Sequence, residues 1–223
     1  MTGKLTGLIA APYTPFDESG DLRLATIEKQ CAKLHSAGVS GAFVCGTTGE
    51  GMSLTLDERM AVAKRWVEVA GGAIQVIVHV GHSCQRDAAA LARHARQIGA
   101  AAVGALPPSF FKPATVDQLI EFMRPIASAC STLPFYFYHL PSMTGVTLST
   151  VDLLQVGAER IPNLRGVKFT HGDLMEYQRC LRVGDGRFEI AWASMKCCWA
   201  RLPSAPRRPL EARIITPRCS IFG

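Results

Sequence analysis

Short apolar runs recur along the first 192 residues at intervals of roughly 23 to 33 residues, and stretches with helical spacing lie between them. Alternating strands and helices are typical of a parallel sheet with right-handed crossovers. The chain has no Gly-x-Gly-x-x-Gly fingerprint, which favours a (β/α) barrel over a doubly wound sheet. The seven predicted strands are 8–13, 39–45, 73–80, 101–106, 135–138, 164–169 and 188–192.

Capping signals predict where several helices begin and end. Thr55 and Glu58 have the spacing of a capping box, and Thr115 and Gln118 repeat it. A glycine follows several of the periodic stretches, as expected at a helix C-terminus. The predicted helices are 24–37, 55–71, 88–98, 115–130, 150–157 and 173–182.

The alternating pattern stops at Ala193. Residues 193–223 contain six Lys or Arg against Glu211 alone, so they carry most of the net charge of +6. Four prolines interrupt any helix there, and no further strand is evident. Since a closed (β/α)8 barrel needs eight strands, we expect an incomplete TIM-type barrel of about seven strands over 1–192. We then expect residues 193–223 to be a disordered basic tail of separate origin, and the chain to be a truncated or altered form of its parent.

Composition narrows the cell compartment and the classes of partner. The chain lacks a signal-peptide pattern and an apolar run of about 18 residues, so we expect a cytoplasmic protein that does not enter membranes. None of the eight cysteines forms a C-x-x-C pair, which predicts reduced thiols. The basic tail lacks interleaved aromatics, so it does not favour nucleic-acid binding. His79 and His82 do not predict a metal site.

Lys168 is the most informative single residue because it interrupts the apolar run 164–169. Burial disfavours the charged form of a lysine, so an amine buried there should be uncharged. An uncharged amine on a rigid strand is a nucleophile suited to attack a carbonyl group. The alternative is a lysine whose ammonium reaches solvent at the strand end. In a barrel, Lys168 would share the C-terminal mouth with Tyr138 and with Thr47 and Thr48.

Four motifs, each at a predicted strand end, resemble those of one enzyme family. They are GTTGEG (46–51), HVG (79–81), FYFYHLPSMTGV (135–146) and GVKFTHGDL (166–174). Together they resemble the N-acetylneuraminate lyase and dihydrodipicolinate synthase family of Schiff-base (β/α)-barrel aldolases, over residues 1–192. The resemblance implies a 2-oxo acid substrate, no cofactor beyond a covalent imine with Lys168, and a homotetramer.

The resemblance also implies roles for individual residues. Lys168 matches the Schiff-base lysine, and Tyr138 matches the tyrosine that moves the proton of the substrate's C4 hydroxyl. Thr47 and Thr48 match the pair that binds the substrate carboxylate. Thr170 is expected to line the pocket beside Lys168.

Within the family, the sequence is similar to the sialic acid lyase branch. Met143 stands where the synthases have an arginine, and segment 108–113 offers no hydroxylated aromatic. The expected reaction is cleavage of N-acetylneuraminate to N-acetylmannosamine and pyruvate.

One departure from the lyases bears on activity. Their Gly-x-Asp-Glu segment after strand seven is replaced by Ala193-Ser194-Met195-Lys196, so the carboxylates that hold the sugar's hydroxyl chain are missing. We therefore expect little or no turnover. Three alternatives stay open: an inactive splice-type product that is degraded or associates with the intact enzyme, another 2-oxo acid aldolase or dihydrodipicolinate synthase-like enzyme, and a binder that uses the basic tail.

Overall fold

The computed structural model describes residues 4–193 and the backbone of residues 213–215. Eight parallel strands pair in chain order and close into a barrel. The strands are β1 (Leu8–Ala10), β2 (Gly41–Val44), β3 (Gln75–His79), β4 (Ala102–Ala105), β5 (Phe135–His139), β6 (Leu164–Phe169), β7 (Glu189–Trp192) and β8 (Arg213–Ile215). The helices are α1 (Ala25–Ser36), α2 (Leu56–Ala70), α3 (Gln85–Gln97), α4 (Val116–Ala129), α5 (Pro141–Thr144), α6 (Thr150–Arg160) and α7 (Leu174–Cys180).

The predicted (β/α) barrel is confirmed, and all seven predicted strands are present. The bounds of β6 agree with the prediction, whereas the first predicted strand ends earlier, at Ala10. The short helix α5, just after β5, was not predicted because its four residues are too few to show periodicity. No helix in the described part of the chain is both long and apolar enough to cross a bilayer.

The strand count is extended from seven to eight by a segment of the predicted tail. Arg213–Ile215 pairs with β1, where Ile214 is the Cα partner of Ile9, and Arg213 is the Cα partner of Trp192 in β7. The pairing of these three residues with β1 and β7 closes the ring of strands that the structure describes. Three residues between prolines carry no readable period, and their partners lie at the other end of the chain. Residues 194–212 and 216–223 lie outside the described part, where the predicted disorder stays a prediction.

Helix starts follow the predicted capping chemistry. Thr55 and Glu58 form a complete capping box at α2, with each side chain bound to the other residue's backbone N–H. At α4, Thr115 accepts from the N–H of Gln118, but the Gln118 side chain accepts from Ala114 instead of completing the box. One half of the second predicted box is therefore present.

Alternate side chains of the strands divide the core into an interior and an outer layer. The interior cluster includes Ile9, Phe43, Ile77, Tyr136 and Tyr138. The larger outer cluster fills the space between the barrel and its helices. This alternation places neighbouring residues of one strand on opposite sides of the barrel wall.

A buried carboxylate closes the N-terminal end of the barrel interior. Glu189, at the start of β7, accepts hydrogen bonds from the Tyr136 hydroxyl at 2.8 Å and the Leu5 N–H at 3.1 Å. Its other oxygen accepts from Arg165 Nε at 3.0 Å. The three donors satisfy a charge that would otherwise be costly to bury. The interior is thereby filled at one end, which leaves the C-terminal mouth for a ligand.

Candidate active site

Lys168 and Tyr138 lie side by side at the C-terminal mouth of the barrel. They are Cα partners in the parallel pairing of β5 with β6, and both side chains enter the interior. The structure therefore brings these two predicted site residues together.

The amine of Lys168 is enclosed by aromatic rings. The residue is 5% exposed, and its Nζ lies 3.5 Å from the ring centroid of Tyr138 and 5.0 Å from that of Phe43. Nζ donates one hydrogen bond, to Thr170 Oγ1 at 3.2 Å. Burial lowers the pKa of Lys168 well below its ordinary value. The lowered pKa increases the uncharged fraction of the amine, which is the form that can attack a carbonyl carbon.

Phe43 packs against both Lys168 and Tyr138, a contact that sequence reasoning missed. Its ring packs edge-on against Tyr138, with centroids 5.3 Å apart. A Cβ on Gly104 of β4 would lie 2.9 Å from the Phe43 ring, so a glycine is needed opposite this phenylalanine. With Nζ of Lys168 5.0 Å from its centroid, the ring contributes to the burial that lowers the pKa of that amine. An apolar residue inside an apolar strand gives no signal that separates it from its neighbours.

The hydroxyl of Tyr138 links the strands to the GTTGEG turn. Tyr138 Oη lies 3.1 Å from Thr47 Oγ1, and either oxygen can be the donor. Burial raises the pKa of Tyr138, and hydrogen bonds with Thr47 and Thr170 oppose that effect only in part. The phenol is therefore protonated at neutral pH and can pass a proton to an acceptor while taking one from a donor.

The GTTGEG turn is held in a tight loop by its own backbone. Gly51 N–H donates to Gly46 O, and Glu50 N–H donates to Thr47 O, both at 3.1 Å. A Cβ on Gly51 would lie 1.9 Å from the carbonyl oxygen of Cys45, so this glycine is required by close approach. The turn presents Thr47 at the mouth, with Thr48 half-buried beside it.

Arg59 of α2 supports this turn from below, and sequence reasoning missed it. It is buried, and its guanidinium donates to His79 O at 2.7 Å and Gly81 O at 3.0 Å. His79 Nδ1 in turn lies 2.9 Å from the carbonyl of Cys45, the residue that opens the turn. Burial, and to a lesser extent the Arg59 charge, lower the pKa of His79 well below its ordinary value. The neutral imidazole therefore connects β3 to the turn.

Four of the five predicted site residues form one connected group. Lys168 contacts Thr170 and Tyr138, and Tyr138 contacts Thr47; Thr48 adjoins this group in the turn. Buried Thr14, whose hydroxyl donates to Gly49 O at 2.7 Å, was not singled out from the sequence. Residues 194–196, which replace the expected carboxylate segment, lie outside the described residues.

Two further sequence expectations concern polar residues near the mouth. His79 is a hydrogen-bonded barrel residue, since its Nδ1 lies 2.9 Å from the carbonyl oxygen of Cys45. His82 Nδ1 lies 3.6 Å from Asp87 Oδ2, so the expectation that no acidic partner is near these histidines is wrong for His82. Met143 is 66% exposed on α5. Five cysteines among the described residues are free thiols.

Comparison with known proteins agrees with this geometry. The pattern of the dihydrodipicolinate synthetase family matches residues 4–192. The chain is 43% identical over 180 residues to N-acetylneuraminate lyase of Mus musculus, covering 80% of this chain and 56% of that protein. It is 45% identical over 184 residues to N-acetylneuraminate lyase B of Xenopus laevis, covering 81% and 69%.

A solved structure gives the same architecture. The N-acetylneuraminate lyase (sialic acid aldolase) of Aliivibrio salmonicida superposes with a TM-score of 0.91 at 41% identity, covering 96% of this chain and 70% of that one. The match to the mouse relative covers 56% of that protein, so the chain spans little more than half of its length. The motifs, the barrel and the family match lead to one conclusion: the chain is a member of the dihydrodipicolinate synthetase family.

Proposed function

We propose that the barrel mouth is a class I aldolase site in which Lys168 forms an imine with a 2-oxo acid. The proposed reaction is cleavage of N-acetylneuraminate to N-acetylmannosamine and pyruvate. The observation that carries the proposal is the amine of Lys168, buried against Tyr138, whose hydroxyl contacts Thr47. The names of the relatives and the motifs at 135–146 and 166–174 support the choice of substrate.

The first chemical step joins the enzyme to the substrate. The lone pair of Lys168 Nζ attacks the C2 carbonyl carbon, and the hydroxyl of the resulting carbinolamine takes up one proton from solvent and leaves as water, which gives a protonated imine. No cofactor is needed, because the nitrogen itself becomes the electron acceptor. The substrate carboxylate would lie at the GTTGEG turn, where the hydroxyls of Thr47 and Thr48 can donate to it. Thr170 would orient the amine.

The second step breaks the C3–C4 bond. The C4 hydroxyl gives its proton to Tyr138 Oη as that phenol passes its own proton to the substrate carboxylate. Electrons of the C3–C4 bond move to C3 and onto the iminium nitrogen, which leaves an enamine on Lys168 and releases the aldehyde N-acetylmannosamine. Protonation of the enamine at C3 and hydrolysis of the imine then release pyruvate and restore the amine.

We expect this chain to form the imine but to turn over substrate slowly or not at all. The groups for imine formation are present, but Ser194, Met195 and Lys196 provide no carboxylate for the sugar's hydroxyl chain. Binding energy from such remote contacts normally positions the substrate for reaction. We therefore propose that the chain binds pyruvate covalently and cleaves N-acetylneuraminate slowly or not at all.

Reduction with borohydride tests the imine. In the presence of pyruvate, mass spectrometry of peptides should find a three-carbon adduct on Lys168 and none in Lys168→Met. Lys112→Met is the matched control, since Lys112 is an exposed lysine near the same mouth, beside Gly145. An adduct lost in Lys112→Met, or no adduct on Lys168 in folded protein, would contradict the proposal.

Release of pyruvate from N-acetylneuraminate, measured with a coupled assay, tests the second part. Slow or absent release together with the Lys168 adduct is the expected result. Rapid release would show that the missing carboxylates are replaced by other groups.

A homotetramer and a cytoplasmic location complete the proposal. Phe110, Phe111 and Met143 are large apolar side chains exposed near the C-terminal mouth, and apolar surface of this kind supports association of copies. The free thiols among the described residues support a reducing compartment. Light scattering of the purified chain gives the oligomeric state.

A further inference from the structure

Three potential metal ligands meet on the helix side of the barrel wall. His139 ends β5 next to Tyr138 but packs into the outer layer, where its ring lies 5.0 Å from that of Phe169. His171 follows β6, and Glu176 belongs to α7. One ligand atom from each of the three lies within 4.8 Å of the other two. The cluster is separate from the mouth because alternate residues of a strand face opposite ways.

Three buried polar atoms at this cluster have no hydrogen-bond partner within the described residues. His139 is 3% exposed, and its Nε2 has no hydrogen-bond partner within the described residues. His171 Nδ1 and Thr150 Oγ1 are in the same condition. A buried polar atom left without a partner costs about 1–3 kcal/mol, so three in one place indicate that a bound species belongs there.

The types of ligand favour a divalent transition metal. Two imidazoles and one carboxylate are a common set for Zn²⁺. The carboxylate is already oriented, since Glu176 Oε1 accepts a 2.6 Å hydrogen bond from Thr150 N–H. Phe169 covers one side of the cluster, with its ring centroid 5.0 Å from that of His139 and 6.3 Å from that of His171. Such an apolar shell excludes competing water from a metal site.

We propose that His139, His171 and Glu176 together bind one Zn²⁺ ion on the outer face of the barrel wall. Bonds of about 2.0–2.2 Å place tetrahedral ligand atoms roughly 3.4 Å apart. The three side chains would move toward one another by about 1 Å, and a water molecule would take the fourth position.

The ion would have a structural role beside the proposed active site. Two of its ligands are chain neighbours of site residues, because His139 follows Tyr138 and His171 follows Thr170. Bound metal would link β5, the turn after β6 and α7 at one point. Metal binding to the folded state alone raises stability by mass action, and this effect requires no catalytic turnover.

Co²⁺ and Zn²⁺ titrations of the full chain test the site. The protein is freed of metal with a chelator before the titration. One equivalent of Co²⁺ should give visible absorption bands of tetrahedral coordination, and Zn²⁺ should displace it and raise the melting temperature. His171→Ala and Glu176→Gln should each weaken binding by more than about tenfold. Glutamine keeps an acceptor for Thr150 N–H, so it removes the charge with little change in shape.

The second group of nearby ligands in the described residues supplies the control. His82, Cys84 and Asp87 also lie within ligand distance of one another, on a more exposed surface. His82→Ala should leave the affinity and stoichiometry unchanged. Melting curves taken in chelator show that each variant is folded. Absence of tight binding would overturn the proposal and assign the gap to water, as would binding that survives both His171→Ala and Glu176→Gln or is lost in His82→Ala.

Discussion

Replacing Lys168 by methionine should make the protein more stable near neutral pH. The substitution keeps an unbranched side chain of similar length and removes the amine. Burial lowers the pKa of Lys168 in the folded protein well below its ordinary value, whereas the unfolded chain has the ordinary lysine pKa of about 10.4. Between these two values the unfolded state binds one proton more than the folded state. Unfolding of the natural chain is therefore favoured by protonation, and Lys168→Met abolishes that contribution.

The size of the stability difference is set by the one extra proton that the unfolded state binds. The free energy of unfolding of the natural chain should rise with pH by about 1.4 kcal/mol per pH unit from this group between the folded pKa and about 10.4. Below the folded pKa, where both states are protonated, the contribution is constant. The stability advantage of Lys168→Met is thus largest at low pH and shrinks by that slope as the pH rises toward 10.

Urea unfolding followed by tryptophan fluorescence can measure this difference. Both proteins are unfolded in reductant at pH 7, 8 and 9, and their free energies of unfolding are subtracted at each pH. Lys112→Met is the control, because an exposed ammonium loses little hydration on folding. A difference between Lys168→Met and the natural chain that does not change with pH would refute the reasoning, since the amine would then be charged in the folded state.

Three other substitutions test the turn and its support. Thr47→Val removes a hydroxyl proposed to bind a carboxylate, so the pyruvate concentration for half-maximal borohydride trapping should rise by about tenfold or more. Arg59→Met leaves buried carbonyls without their donor and should lower the free energy of unfolding by about 1–3 kcal/mol in urea titrations. Gly51→Ala forces a Cβ against Cys45 O and should cost about 1–3 kcal/mol and reduce trapping, whereas Gly172→Ala, with open space around it, should do neither.

Much of the fold and the site's position could be predicted because they depend on local pattern. The run 164–169 is bounded by polar residues, and β6 has those bounds. The C-terminal ends of parallel strands meet at one mouth, so Tyr138 and Lys168 were expected close together, and their strands pair at that register. The structure places these side chains in contact, while their chemical roles stay proposals.

Features that depend on distant contacts could not be predicted. Arg59 follows a capping box in an ordinary amphipathic helix, and its burial arises from carbonyls of a strand about 20 residues further on. His139 and His171 come together because of strand register and the fold of the next turn. Residues 213–215 form a strand by pairing with β1 and β7, which come much earlier in the chain. Periodicity within a window carries none of this information.

The seam between β1 and β8 has a consequence for the order of folding. It joins segments about 200 residues apart, whereas β5 and β6 are separated by about 30, and entropy favours closing the shorter loop first. The two strands that carry Tyr138 and Lys168 can thus pair while the ends of the chain are still free. Until residues 213–215 arrive, β1 and β7 expose unpaired edges, and a second chain in the same condition can add to them. Slow ring closure would therefore show itself as aggregation during refolding at high protein concentration.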